Sequence, residues 1–141
     1  MSRLHHSMKK PTPKRRTQQT HSDTWQSLMA QARAFRDARD WAQFHTPKNL
    51  AAAIAIEAAE LQERFLWKTD AEVDSQMQAG AKRDATIEEI ADVLLYALLL
   101  ADRLDVDIGK AIRNKLAANE RKYPVALAKG RANKYTELRE P

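Results

Sequence analysis

Apolar residues recur along this chain close to the 3.6-residue turn of an α-helix, and almost nowhere with the alternation of a strand. Trp25, Leu28, Met29, Ala32 and Phe35 share one face, which predicts a first amphipathic helix capped by Ser22 or Asp23. Between Trp41 and Asn49 the pattern lapses around Pro47; the residue before a proline resists helix, so a loop is expected. A second helix is predicted from about Asn49 to Trp67, with Leu50, Ile54, Leu61 and Phe65 inward. Residues 68–82 are polar, leave room for one short extra helix and reach Gly80 near their end. A third helix is expected to start near Thr86, where Thr-Ile-Glu-Glu reads as a capping box, and to end near Arg103. It is apolar nearly all round, as a central or interface helix should be. A fourth, capped by Asp105 or Asp107, reaches Tyr123 and is stopped by Pro124. The expected fold is all-α, one four-helix, bundle-like domain over residues 23–141.

Composition sharpens this picture. With 141 residues, 43% of them hydrophobic, the chain holds one domain and a small core. Three glycines, and five prolines near helix ends and in the N-terminal tail, leave little to build strands from. Residues 1–22 are polar, basic and without periodicity, and are expected to form a disordered tail. The net charge of +5 suggests nucleic-acid binding until it is apportioned. The tail holds six of the 24 basic groups and no acid, leaving 18 basic against 19 acidic groups in the rest. Nucleic-acid binding is therefore demoted to a property of the tail, since a domain relying on phosphate contacts carries its own positive face. Cysteine is absent, which removes disulfides and thiolate chemistry. The most apolar run, Val93 to Ala101, is too short for a membrane span and is interrupted by Tyr96. No apolar leader precedes the domain, so no membrane association and a cytoplasmic location are expected.

Four acids break the apolar pattern. Glu57 interrupts the inward stripe between Ile54 and Leu61, and Glu60 lies three residues on. Glu89 and Asp92 repeat that spacing and are followed by Val93, Tyr96 and Leu100 on the same face. Two like charges about 4 Å apart repel by roughly 4 kcal/mol at an effective dielectric near 20, and burial adds desolvation. A divalent cation resolves the conflict. Oxygen ligands without His or Cys favour Mg²⁺, with Mn²⁺ as substitute, over zinc, and the Glu-x-x-His pair of a di-iron bundle is missing. The alternative is that these acids are half-exposed boundary residues making surface ion pairs.

Glu57-Ala-Ala-Glu60 and, after 28 intervening residues, Glu89-Ile-Ala-Asp92 resemble the ExxE…ExxD signature of the MazG-like all-α nucleotide pyrophosphatases. Arg39-Asp40-Trp41, Phe44-His45, Pro47 with Asn49, Phe65 with Trp67, and Asp92-Val93-Leu94 with Tyr96 look like the dCTP pyrophosphatase branch of that family. So do Asn119, Tyr123-Pro124 and Lys134-Tyr135-Thr136-Glu137-Leu138, and the likeness spans about residues 24–138. It implies that Glu57, Glu60, Glu89 and Asp92 hold Mg²⁺ and serve catalysis. The implied reaction is hydrolysis of a nucleoside triphosphate between the α and β phosphates, with dCTP or a 5-modified dCTP favoured. Ala55, Ala58 and Ala59 stand near where members of the family often carry glycine, which implies a different helix packing or pocket width.

The resemblance also suggests substrate contacts. Lys115, Asn119 and Lys122 recur on one row of the fourth helix, suited to phosphate oxygens, although such a row by itself is a solvated face. Trp41 and Trp67 flank the second helix, where aromatic residues of the family enclose the base; as plain residues they are core anchors. His45 is the candidate for reading the pyrimidine edge, or else a loop cap, and Tyr96 a phosphate or ligand donor, or else core filler. A small helical unit with acids on apolar faces is expected to complete its core as a homodimer or homotetramer. Two other readings stay open: the same reaction on other nucleotides, and a noncatalytic helical binding module.

Overall fold

The computed structural model describes residues 24–138, so the tail expected over residues 1–22, and Ser22 and Asp23 as caps, lie outside the described residues. Helix α1 (Trp25–Asp37) begins instead at Thr24, whose extended backbone lets its hydroxyl accept the Ser27 N–H. A 3₁₀ turn, Trp41–Gln43, follows Asp40, which adopts the left-handed conformation (φ 53°). Pro47 does not break the next helix; it occupies the first helical position, where its missing N–H costs nothing. Thr46 caps that helix, α2 (Pro47–Glu63), by accepting the Asn49 N–H, and α2 ends short of the expected Trp67. The Asn49 amide also donates to the Phe44 carbonyl, tying the 3₁₀ turn to α2.

The short helix expected within residues 68–82 is α3 (Asp70–Gln76), and it carries a complete capping box: Thr69 accepts from the Glu72 N–H while Glu72 accepts from the Thr69 N–H. The capping box expected at Thr86 does not form. Helix α4 runs from Ala81 to Arg103, starting upstream because Lys82 to Ala85 sustain helix as far back as Gly80. Gly80 has φ 97° with ψ −177°, a conformation open in practice only to glycine. Thr86 is buried inside α4 and donates to the Lys82 carbonyl. Of the two caps considered for the next helix, Asp107 performs the role: α5 (Ile108–Lys122) starts behind it, with the Lys110 N–H bonded to its carboxylate. Pro124 ends that path and opens a single-turn helix, α6 (Val125–Ala128); a 3₁₀ turn at Tyr135–Glu137 follows.

All the regular structure among the described residues is helical, and none of their helices is long and apolar enough to cross a membrane. The most extensive packing is α2 along α4, with α1 laid across α4. Ala32, Leu50 and Leu99, one from each of these helices, form the buried centre, with Leu95, Tyr96 and Leu100 packed around it. Helix α5 makes no comparably extensive contact with the other three among the described residues.

One polar contact clamps α1 to α4. Arg33 and Arg36 both donate to the Asp102 carboxylate, Arg36 at 2.9 Å. Burial alone would raise the Asp102 carboxyl, but the two guanidinium hydrogen bonds outweigh it and hold it below the usual range. A carboxyl lowered in the folded state contributes stability above the unfolded value, near pH 4, and loses it as pH falls through the folded value. Asp102→Asn should therefore cost about 1–2 kcal/mol at neutral pH, a range discounted for the exposure of Arg33. In urea unfolding that difference should shrink progressively as the pH falls below 4; a difference that stays undiminished would show that packing, not charge, is at stake.

Candidate active site

Helical phase brings the acids together. Glu57 and Glu60 lie one turn apart on α2, and Glu89 and Asp92 one turn apart on α4. Where α2 packs along α4, Glu57, Glu60 and Glu89 each bring one carboxylate oxygen within 4.8 Å of the other two. They sit at graded depth: Glu89 is buried, Glu57 half-buried and Glu60 exposed. Asp92 stands outside this group of three yet acts on it, since its charge adds to those on Glu57. Desolvation first, then the charges of Glu60, Asp92 and Glu89, push the Glu57 carboxyl above its ordinary range. A cluster of carboxylate oxygens, with no His or Cys in it, matches the donor preference of Mg²⁺ or Mn²⁺.

Asp92 also lines a cavity of about 610 Å³ between α1 and α4, walled by Trp25, Leu28, Phe35, Leu95 and Leu98. An apolar hollow entered by one carboxylate from a charged cluster is suited to a small molecule with a flat apolar part and a polar part. Trp41 has its ring edge-on to Phe35 at 5.9 Å, and the Arg39 guanidinium lies 3.6 Å over the Phe35 ring. His45 lies 6.4 Å from Trp41, with its buried Nδ1 finding no hydrogen-bond partner among the described residues. Trp67 is 94% exposed on a left-handed backbone (φ 59°), an indole left in water at a strained position. Tyr96 packs against the Ala32, Leu50 and Leu99 centre.

The basic row is not gathered at the acids. Lys122 lies 5.0 Å over the Tyr135 ring, and no hydrogen bond or ion pair links Lys115 or Asn119 to the carboxylates among the described residues. A cation not singled out from sequence does reach them: Arg64, just past α2, pairs with Glu89. Its signal was its phase, because Arg64 follows Glu57 and Glu60 at three- and four-residue helical steps. The wall residues Trp25 and Leu28 read only as an amphipathic stripe.

An all-α domain whose two longest packed helices bring three carboxylates together on their shared seam, with a fourth one turn further along, belongs to a class of helical domains with a candidate divalent-cation site. The chain belongs to the MazG-like family, whose model matches residues 52–138. Similar to it are the proteins named dCTP pyrophosphatase 1 from Rattus norvegicus and Homo sapiens, each 46% identical over 104 residues. Each of these alignments covers 74% of this chain, which spans 61% of the length of those relatives. The solved structure of a pyrophosphatase from Archaeoglobus fulgidus is 42% identical with a TM-score of 0.67, covering 74% of this chain and 95% of that one.

The raised Glu57 carboxyl has a testable sign. A carboxyl raised on folding contributes stability at low pH that is lost as pH rises through the folded value. In EDTA at pH 8, Glu57→Gln should melt at a higher temperature than the parent, and the gap should close as pH is lowered towards 4. A variant less stable at pH 8 would place Glu57 among groups that folding favours charged.

Proposed function

We propose that this protein hydrolyses a nucleoside triphosphate between its α and β phosphates, with dCTP or a 5-modified dCTP as the favoured substrate. The observation that carries this reading is the three-carboxylate group beside Asp92 and its apolar cavity. The relatives named dCTP pyrophosphatase support the choice of substrate. Glu57, Glu60, Glu89 and Asp92 are the residues that would hold Mg²⁺, with Mn²⁺ as substitute. When bound, the ion neutralises triphosphate charge and lowers the pKa of the attacking water. The chain's own residues would orient that water towards the α phosphorus, and a carboxylate of the cluster would take its proton as the bond from the α phosphorus to the bridging oxygen breaks and pyrophosphate leaves. The apolar cavity excludes water beside Asp92, while Trp41 and Trp67 supply flat faces for the base and His45 a hydrogen bond to its edge. Lys115, Asn119 and Lys122 offer donors for phosphate oxygens once α5 is brought to the site. The biological role is control or cleaning of a cytoplasmic nucleotide pool.

We further propose a homodimer or homotetramer. Ile87, Ile90 and Leu94 form a stripe on α4, each 44–45% exposed, and Ile112 and Leu116 extend apolar surface onto α5. A domain with so few buried hydrophobic residues and so much exposed apolar surface calls for a partner face.

Pyrophosphate release from a panel of canonical and 5-modified triphosphates tests the activity. Mg²⁺-dependent release should be fastest with dCTP-like substrates and fall by at least about a hundredfold in Glu60→Gln and in Asp92→Asn. No release from any nucleotide would leave a binding module as the better account. Sedimentation at micromolar concentration should give a species larger than the 16.1 kDa chain, reduced to a monomer by Ile90→Glu. A fully active parent monomer would remove the assembly.

A further inference from the structure

We propose that Arg64 is the resident counter-ion of the carboxylate cluster and that it competes with the divalent ion for Glu89, thereby setting the affinity of the site for metal. The inference rests on the metal-binding reading above and extends it to a residue outside the ligand set. Arg64 lies in the turn that follows α2, and both its Nε, at 3.1 Å, and its Nη2 donate to a single oxygen, Glu89 Oε1. Those are the only hydrogen bonds to the Glu89 carboxylate among the described residues. The Glu89 side chain is 9% exposed, so without this guanidinium its charge would be buried beside two like charges with no compensation.

The two partners differ in freedom. Glu89 is held within α4, whereas the Arg64 side chain is 40% exposed at the mouth of the seam. The Arg64 carbonyl is anchored by the Lys68 ammonium and the Gln76 amide, so its backbone stays in place while its side chain is free to swing outward. An oxygen that accepts two N–H groups from a guanidinium has no direction left for a close divalent ligand bond, and a divalent ion so near a guanidinium repels it. Loading is therefore an exchange, with the ion entering and Arg64 leaving Glu89 for solvent. The opposite arrangement, in which the ion takes the other Glu89 oxygen and Arg64 stays to orient the ligand, predicts that loss of Arg64 weakens metal binding.

Mn²⁺ titration followed by electron paramagnetic resonance separates the two. With the full chain in low salt, Arg64→Leu should bind Mn²⁺ about three- to tenfold more tightly than the parent, the range for losing a charge-assisted but partly solvated competitor. Arg64→Lys, which keeps the charge without the fork, should fall between. In the unsubstituted chain, the Nε–H resonance of Arg64 should move towards the position of a solvated arginine as Mg²⁺ is added. Equal or weaker Mn²⁺ binding by Arg64→Leu, or an Nε–H resonance unmoved by Mg²⁺, overturns the inference; the metal site itself still stands if Glu60→Gln loses binding. Absence of Mn²⁺ binding by the parent and by Arg64→Leu removes the metal site and the exchange together. The resonance measurement needs no variant, so it decides the matter even if Arg64→Leu does not fold.

Discussion

Like charges held side by side govern this structure. Oxygens within 4.8 Å repel by about 3–4 kcal/mol per pair at an effective dielectric near 20, and Glu89 is buried as well. The seam between α2 and α4 must be held closed by other forces, and the Ala32, Leu50 and Leu99 centre with its surrounding leucines supplies them. The packing that stabilises the fold is thus the packing that forces the acids together. Arg64 relieves part of the repulsion from one side and Asp102, with its two arginines, ties α1 to α4 at the far end of that helix.

This arrangement leaves little surplus stability. Five hydrophobic residues are buried among those described, while large apolar side chains on α1, α2, α4 and α5 face outward. Helix α5 is amphipathic, makes no comparably extensive contact with α1, α2 or α4 among the described residues, and leaves Ile112 and Leu116 at the surface. A domain that spends part of its central seam on carboxylates has less apolar contact there for holding itself together.

The helices and the acids were legible because both obey one period. Glu57 between Ile54 and Leu61, and Glu89 with Asp92 before Tyr96, break an apolar stripe at positions a soluble helix keeps apolar. Boundaries were less legible where local chemistry has two uses. Pro47 reads as a breaker but starts α2, and Thr86 reads as a cap although Gly80 sets the start of α4. The partners of the site were least legible, because which cation meets Glu89 depends on how α2 lies along α4. Lys122 reads as one of a basic row on α5, and its contact with the Tyr135 ring, brought back by the chain beyond Pro124, could not be read from that row. The cavity beside Asp92 was unreadable for the same reason, being a gap between α1 and α4 and belonging to neither stripe alone.

The segment from Arg64 to Gly80 separates the two carboxylate pairs along the chain but does not set the distance between them. That distance is fixed by two helices lying side by side, and the segment contributes one guanidinium near its start and a positive-φ glycine at its end. Lengthening a surface connection costs little chain entropy, so residues added around α3 would leave the carboxylates where they are. The stretch between the pairs is accordingly the place where this architecture has room for an insertion without disturbing the carboxylate cluster.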